Sequence, residues 1–448
     1  MDIITLLVNL HMDLIARDIF SYLDETSLRN CESVSKSWYF VIRKGKLWKQ
    51  LFHRVAKSQP DLEALHQYKK SEAKNQLENE NVQFKRLFNG PHHVNKNWSC
   101  GKFETRRIEL DDVKVSHLIE MDDKRIIFGL ESDSGPSKIM VWNRWKLESE
   151  CLLVTPDKAK MTDIKLYGEL IFTSHADKSI LVWDLKTREI TVQFLGKEVP
   201  DGMIYPSLHV DHNLLIGLFT SISYDDEQLD RESHEYCSCA TIRRMSSSPV
   251  HMVFEKIELI PYASAYKCDS NNNFFSLFLD CPEEKIKIEL RSIDSFQVIR
   301  QLNVSMGDFV TCRNGMLATV PALVAGEQAE KIKFWDPNTL SCKQTWITQG
   351  LVNEVIFSSR HILFLDSNFK MTACNLPTFS DNDLETERMV NGIFEFELDY
   401  EEENDADLIE HIPFMLCDGL QFITVSTQIS EGTSKSFLTI RDFIKPGI

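Results

Sequence analysis

GELIFTSHADKSILVWDLKTREI, residues 168–190, reads as two strands of alternating apolar residues around a tight turn at Ala176-Asp177-Lys178, the second strand ending in Trp183-Asp184. Weaker copies of that ending stand at Trp142-Asn143 and Trp335-Asp336. Degenerate ones stand at Ile242-Arg243, Leu290-Arg291, Cys374-Asn375 and Ile440-Arg441. Successive endings lie 41, 59, 48, 45, 39 and 66 residues apart, which is a period of roughly 40–45 residues once loop insertions are allowed. Short strands recurring at that step, with no long helical pattern, predict an all-β architecture of seven units.

The unit at 168–190 resembles a WD repeat, although the Gly-His pair of such repeats is missing and four of the seven endings lack Trp. The resemblance implies a seven-bladed WD-repeat-like β-propeller over residues 98–448. It also implies that the first strand completes the last blade, so that KFETRRIEL, Lys102–Leu110, pairs with the strands near Phe437 to Phe443. A closed ring of that kind leaves few sheet edges exposed.

Upstream, residues 10–52 read LHMDLIARDIFSYLDETSLRNCESVSKSWYFVIRKGKLWKQLF. Ile15, Ile19 and Leu23 recur at steps of four, Asp24 supplies a cap oxygen, Leu28, Cys31 and Val34 recur at steps of three, and Ser35 offers a further cap. Three or four short helices fit, in a unit small enough to need a partner or a neighbouring domain for stability. Leu10, Ile15, Ile19, the run Ser21–Leu28 and the run Val34–Tyr39 resemble an F-box, the adaptor-binding motif of cullin-RING ubiquitin ligases. His11 stands where that family has proline, so the fixed φ of proline is lost there. The resemblance implies an all-α box over residues 1–52 that holds a Skp-type adaptor through Leu10, His11, Ile15, Ile19, Leu23, Leu28, Val34 and Trp38. Together with FKRLF and Asn97-Trp98-Ser99-Cys100-Gly101 downstream, the chain resembles the F-box/WD-repeat proteins, notably the beta-transducin-repeat-containing group.

Residues 53–97 read as a helical linker with sparse apolar positions, a polar lever pinned at its ends by Leu62, Leu65, Leu87 and Phe88. Apolar content of 43% and charged content of 26% are those of a globular chain. Eleven scattered cysteines, Asp2 in place of a basic leader and the lack of a long apolar run lead to the expectation of a cytoplasmic or nuclear protein with no membrane span. Residues 1–97 carry 15 Lys+Arg against 11 Asp+Glu, whereas residues 98–448 carry 35 against 56, a net charge of −21 that disfavours nucleic acid. Thirteen of those carboxylates, against Arg388 alone, fall between Asp381 and Glu410, which reads as a solvated acidic insertion.

Nucleotide, hydrolase and metalloprotease signatures are missing, so no catalytic residue and no cofactor is expected. His234, Cys237, Cys239 and His251 form a metal-like cluster with unorthodox spacing, and no metal site is assigned to it. Arg243, Arg244, Arg106 and Arg107 are weak candidates for substrate binding, since adjacent strand residues point to opposite faces and only one of each pair can serve a site. In the beta-transducin-repeat-containing group an arginine before the turn Asp clasps a phosphorylated degron. Here that position is Ala176, and the equivalent turn one unit earlier offers Glu131 and Asp133, so the resemblance does not carry phosphodegron reading across. The expectation is a monomeric, non-catalytic substrate receptor whose protein substrate is basic. The alternative is a ligase-independent propeller scaffold with a weakened F-box.

Overall fold

The computed structural model of the chain describes residues 2–56, 60–72, 80–110, 115–130, 135–156, 159–197, 199–200, 203–211, 214–221, 237–245, 252–261, 264–270, 274–281, 285–292, 294–295, 297–305, 309–313, 316–320, 331–336, 339–348, 352–358, 360–366, 370–376, 386–389, 392, 394–397, 409–430 and 433–444. Helices come first: α1 (Ile3–Asn9), α2 (Asp13–Ser21), α3 (Glu25–Val34), α4 (Lys36–Lys44), α5 (Leu47–Val55), α6 (Pro60–Glu72), α7 (Glu80–Leu87) and α8 (Gly90–Ser99). Strand β1 (Glu104–Leu110) follows. A first sheet then holds β2 (Val115–Met121), β3 (Arg125–Leu130), β4 (Lys138–Asn143) and β5 (Glu148–Val154), and a second β6 (Met161–Tyr167), β7 (Leu170–His175), β8 (Ile180–Asp184) and β9 (Glu189–Phe194).

The third sheet is β10 (Met203–Asp211), β11 (Leu214–Ser221), β12 (Cys237–Met245) and β13 (Met252–Pro261), and the fourth β14 (Ser264–Ser270), β15 (Phe274–Cys281), β16 (Lys285–Ser292) and β17 (Val298–Ser305). The fifth has β18 (Phe309–Arg313), β19 (Met316–Val320), β20 (Lys331–Trp335) and β21 (Cys342–Ile347), with β25 (Thr386–Met389) added outside β21. The sixth has β22 (Val352–Phe357), β23 (His361–Asp366), β24 (Lys370–Asn375) and β26 (Phe394–Glu397). The seventh has β27 (Ile409–Cys417), β28 (Gln421–Ser430) and β29 (Thr433–Asp442), with β1 outside β29.

Each Trp-Asp-like ending recognised in the sequence falls on the third strand of its sheet, because the buried centre of a sheet needs continuous apolar residues and the third strand supplies them. In two of the three endings that keep Trp, the indole N–H finds a threonine on the strand beside it: Trp183 Nε1 donates to Thr173 Oγ1 at 3.2 Å and Trp335 Nε1 to Thr319 Oγ1 at 3.0 Å. Neighbouring sheets share apolar cores. Ile127, Ile139 and Val141 meet Ile164, Ile171 and Leu181 between the first and second sheets, and Phe128 and Ile126 meet Ile423, Val425 and Leu438 between the first and the seventh. Mainly β with an N-terminal helical region, the fold is a β-propeller, and its two chain ends meet in one sheet. β1 runs antiparallel to β29 from Glu104↔Asp442 to Leu110↔Ser436, where the sequence places the closing pair.

Two expectations are corrected. The linker is not a lever. Leu62, Leu65, Leu87 and Phe88 are buried, but so are Ala64, Phe84, Val94 and Trp98, in one core that also takes in Leu28 and Trp48 of the helices and Leu363, Phe422 and Phe443 of the sixth and seventh sheets, and Tyr68 is buried beside it. The acidic segment 381–410 is not simply a solvated loop either. It contributes β25, which lies parallel to β21 (Gln344↔Thr386 to Ile347↔Met389), and β26, which completes the sixth sheet against β24. Its remaining residues before Ile409, other than Gly392, lie outside the described residues.

Candidate adaptor face and propeller arginines

Side-chain capping fixes three of the four helices that follow α1. Asp24 accepts from Ser27 N at 2.8 Å and starts α3, and Ser35 accepts from Trp38 N at 3.2 Å and starts α4. The Arg54 guanidinium closes the end of α2 by donating to the carbonyls of Ser21 and Leu23, both at 2.5 Å. Between these helices Ala16, Phe20, Leu28, Val41, Ile42 and Phe52 are buried, with Trp48 fully so; its Nε1 donates to Glu32 Oε1 at 2.8 Å, and Lys85 from α7 pairs with the same carboxylate. Helix α1 precedes the motif and was missed in the sequence, although Asp2 and Thr5 stand at capping spacing. Asp2 Oδ1 accepts from Thr5 N and from Trp38 Nε1, at 2.8 and 2.7 Å, and the hydrogen bonds of Thr5 and then Trp38 hold the Asp2 carboxyl down to about 2.

The eight residues expected at the adaptor face divide between the surface and the interior. Leu10, Ile15, Ile19 and Val34 are exposed, by 55, 50, 44 and 57%. His11 is exposed as well, at the link between α1 and α2, with φ of 58° and its N–H donating to the Val8 carbonyl at 3.0 Å. That left-handed backbone is closed to proline, so the departure from the family residue is a change of chain path and not only the loss of a helix-starting φ. Leu28 is buried in the box's own core, Leu23 packs against that core, and Trp38 is half-buried 5.1 Å from the Phe20 ring. Leu28 therefore holds the box together and offers nothing to a partner. Ile3, Leu6, Met12, Leu14 and Tyr22 join the exposed set unannounced by the motif. Eleven of the eighteen large exposed apolar residues described in the chain lie between Ile3 and Phe40, which makes an uncovered apolar face of a kind soluble monomers avoid.

The four arginines do not gather. Arg243 is buried, its guanidinium 4.3 Å from the Phe194 ring and its Nη1 donating to Thr241 Oγ1 at 2.9 Å, and burial lowers its pKa to about 10. It is a packing residue between the second and third sheets, not a ligand. Arg244 points the other way, 3.9 Å from Asp294. On β1, Arg106 pairs with Glu104 at 3.0 Å and Arg107 lies 4.3 Å over the Phe437 ring. Cys239 is buried and Cys237 begins β12, while His234, His251, Glu131 and Asp133 lie outside the described residues.

An F-box-like family model matches residues 15–54, the stretch from the exposed Ile15 stripe to the Arg54 clamp. F-box and WD repeat domain-containing 11-A of Danio rerio is 33% identical over 165 residues, which are 34% of this chain and 28% of that relative's length. The chain carries an F-box-like segment and, over about a third of its length, is similar to an F-box and WD repeat protein. Its F-box-like part is α2 to α5, and its repeat part is the sheets that α6 to α8 join to that box. Among solved structures, Kluyveromyces lactis Hsv2 is 12% identical with a TM-score of 0.44, covering 72% of this chain and 97% of its own. The Cps50 (Swd1) β-propeller domain of Myceliophteria thermophila is 11% identical with a TM-score of 0.45, covering 74% and 99%.

Proposed function

We propose that the chain is the substrate-recognition subunit of a Skp-cullin-F-box ubiquitin ligase, holding a Skp-type adaptor on its F-box and a protein substrate on its propeller. The carrying observation is the apolar stripe of Ile15, Ile19 and Leu10, which lies outside a box whose own core is already filled by Ala16, Phe20, Leu28 and Trp48. A helix that buries one stripe and exposes another has its second stripe left for a partner. On this reading the receptor is not itself an enzyme. It holds the substrate lysine close to a ubiquitin-conjugating enzyme that another subunit brings, so its contribution is effective concentration.

The chain then divides into a box at 1–52, a linker at 53–97 and a propeller at 98–448 whose seven sheets we read as seven blades. Free thiols at Cys31, Cys100 and Cys374 support residence in the reducing cytoplasm or nucleus. Net charge of −21 beyond residue 97 favours a basic substrate.

The test is a charge in the stripe. Ile19→Glu leaves an ion without compensation in a dry interface and is expected to abolish adaptor co-purification while the propeller melts as in the wild type. Adaptor recovered at wild-type level with Ile19→Glu refutes the reading. The left-handed backbone at His11 favours a second one, a scaffold whose box binds the adaptor weakly, and co-purification of the wild-type chain without adaptor or cullin would select it.

A further inference from the structure

An open cleft of about 330 Å³ lies between the helical region and the first sheet, on the side where the loops of that sheet meet α6. Lys70 of α6 forms one wall. The β2–β3 and β4–β5 turns bring Lys124, Arg125, Trp145 and Lys146 to the other, and Glu150 is the carboxylate among the described lining residues. That carboxylate is engaged, accepting from Asn143 Nδ2 at 2.9 Å and lying 3.8 Å from Arg125 Nε. Arg125 is further held by Glu169 at 2.6 Å and Asp122 at 3.7 Å, and Lys124 shares Glu169 at 3.6 Å. Lys70 and Lys146, both exposed, face the cleft from opposite walls with no ion pair among the described residues. Between them the Trp145 indole is fixed, its Nε1 donating to the Asp123 carbonyl at 2.8 Å, with the Tyr68 ring at 5.4 Å and the Arg144 guanidinium at 4.4 Å.

Two ammonium groups with no ion pair among the described residues, beside a rigid indole, make an anion site, and the surroundings select which anion. Small-molecule sites are lined mostly by apolar side chains with a few polar groups, whereas clusters of Lys and Arg recognise carboxylates and phosphates on peptides. A long polyanion such as nucleic acid would meet the −21 field of the remaining surface, but a short acidic segment stays within the roughly 8 Å over which salt leaves local charge effective. We propose that this cleft docks an acidic peptide segment of a partner protein, seating a carboxylate or a phosphate between Lys70 and Lys146 with the adjoining side chain against Trp145. The site shares no residue with the apolar face of the box.

The full chain is titrated with three fluorescent probes of equal length and charge: a glutamate-rich peptide, a doubly phosphorylated peptide and a single-stranded oligonucleotide. At least one peptide is expected to bind, more weakly as salt rises, and the tighter of the two identifies carboxylate or phosphate as the anion. The double variant Lys70→Glu/Lys146→Glu, with Lys70→Gln/Lys146→Gln beside it, is expected to weaken that binding at least about tenfold with an unchanged Tm. Lys138→Glu/Lys197→Glu makes the same change of net charge elsewhere and is expected to leave binding within about threefold. Peptide binding that survives the cleft variants, that falls equally in the control pair, or that is missing from the wild type overturns the proposal. So does tighter binding of the oligonucleotide, which would make the cleft a nucleic-acid contact.

Discussion

His361 occupies the junction between helices and sheets, stacked 4.5 Å from the Trp98 ring, and burial followed by the Arg360 charge lowers its pKa to about 4. In the unfolded chain an imidazole takes its proton near 6.5, so between pH 6.5 and 4 the unfolded state binds more protons and stability falls as pH falls; above 6.5 this residue gives no slope. His361→Phe keeps a ring against Trp98 and removes the titration. Denaturant unfolding at pH 7.5 and pH 5 is expected to show a loss in the wild type about 2 kcal/mol larger than in the variant. Equal losses would show that the fold does not lower the imidazole pKa. Other single residues were only half legible. The step of four through Ile15 and Ile19 marks a real stripe, but the core stripe is the one beside it, through Ala16 and Phe20, and nothing in a lone helix says which of two apolar stripes turns inward. Arg243 read as a candidate ligand because sequence carries no sign of burial for a cation whose partner is an aromatic face.

Among elements, those with one buried face were the readable ones. Box helices announce themselves through caps at Asp24 and Ser35, and third strands through their apolar runs. Helix α6 was legible as a helix but not as a buried one, because Leu62, Ala64, Leu65 and Tyr68 are buried without forming a single stripe. Strand β25, TERM, shows no apolar alternation, and β26, FEFE, does alternate, with Phe396 packed against the core, but is only four residues long and sits inside an acidic run. Helix α8 is the element that ties the two halves. Asn97 Nδ2 donates to the Phe443 carbonyl at 2.7 Å, Trp98 Nε1 to that of Gly419 at 2.9 Å, the Trp98 ring stacks on Phe443 with centroids 3.6 Å apart, and Arg360 meets Asp61 of α6 at 3.0 Å. Trp98→Ala is expected to cost about 3–5 kcal/mol at this junction. Limited proteolysis should then cut between residues 90 and 104 long before the sheets open, and a digestion pattern like that of the wild type would count against the junction as described.

At the scale of the whole molecule, closure is the feature that a truncation tests. Removing residues 433–448 strips β29 from between β28 and β1, exposing two edges at once. The shortened chain is expected to aggregate and to lose cooperative melting. A soluble, cooperatively melting product would mean that β1 is dispensable to an open sheet. Ring architecture was legible because period and alternation survive degenerate repeats, whereas the packing of the helices against the ring depends on contacts between residues more than three hundred positions apart, such as Asn97 and Phe443.

Those contacts also set an order in time. The helices that bear the candidate adaptor face leave the ribosome before Gly419 and Phe443, which accept the Asn97 and Trp98 hydrogen bonds. A nascent chain thus displays its box on an untethered stem until Phe443 has emerged. Only a chain made through Phe443 holds the box in a fixed direction relative to the propeller, so a product terminated earlier carries a folded box with no fixed bearing on its sheets.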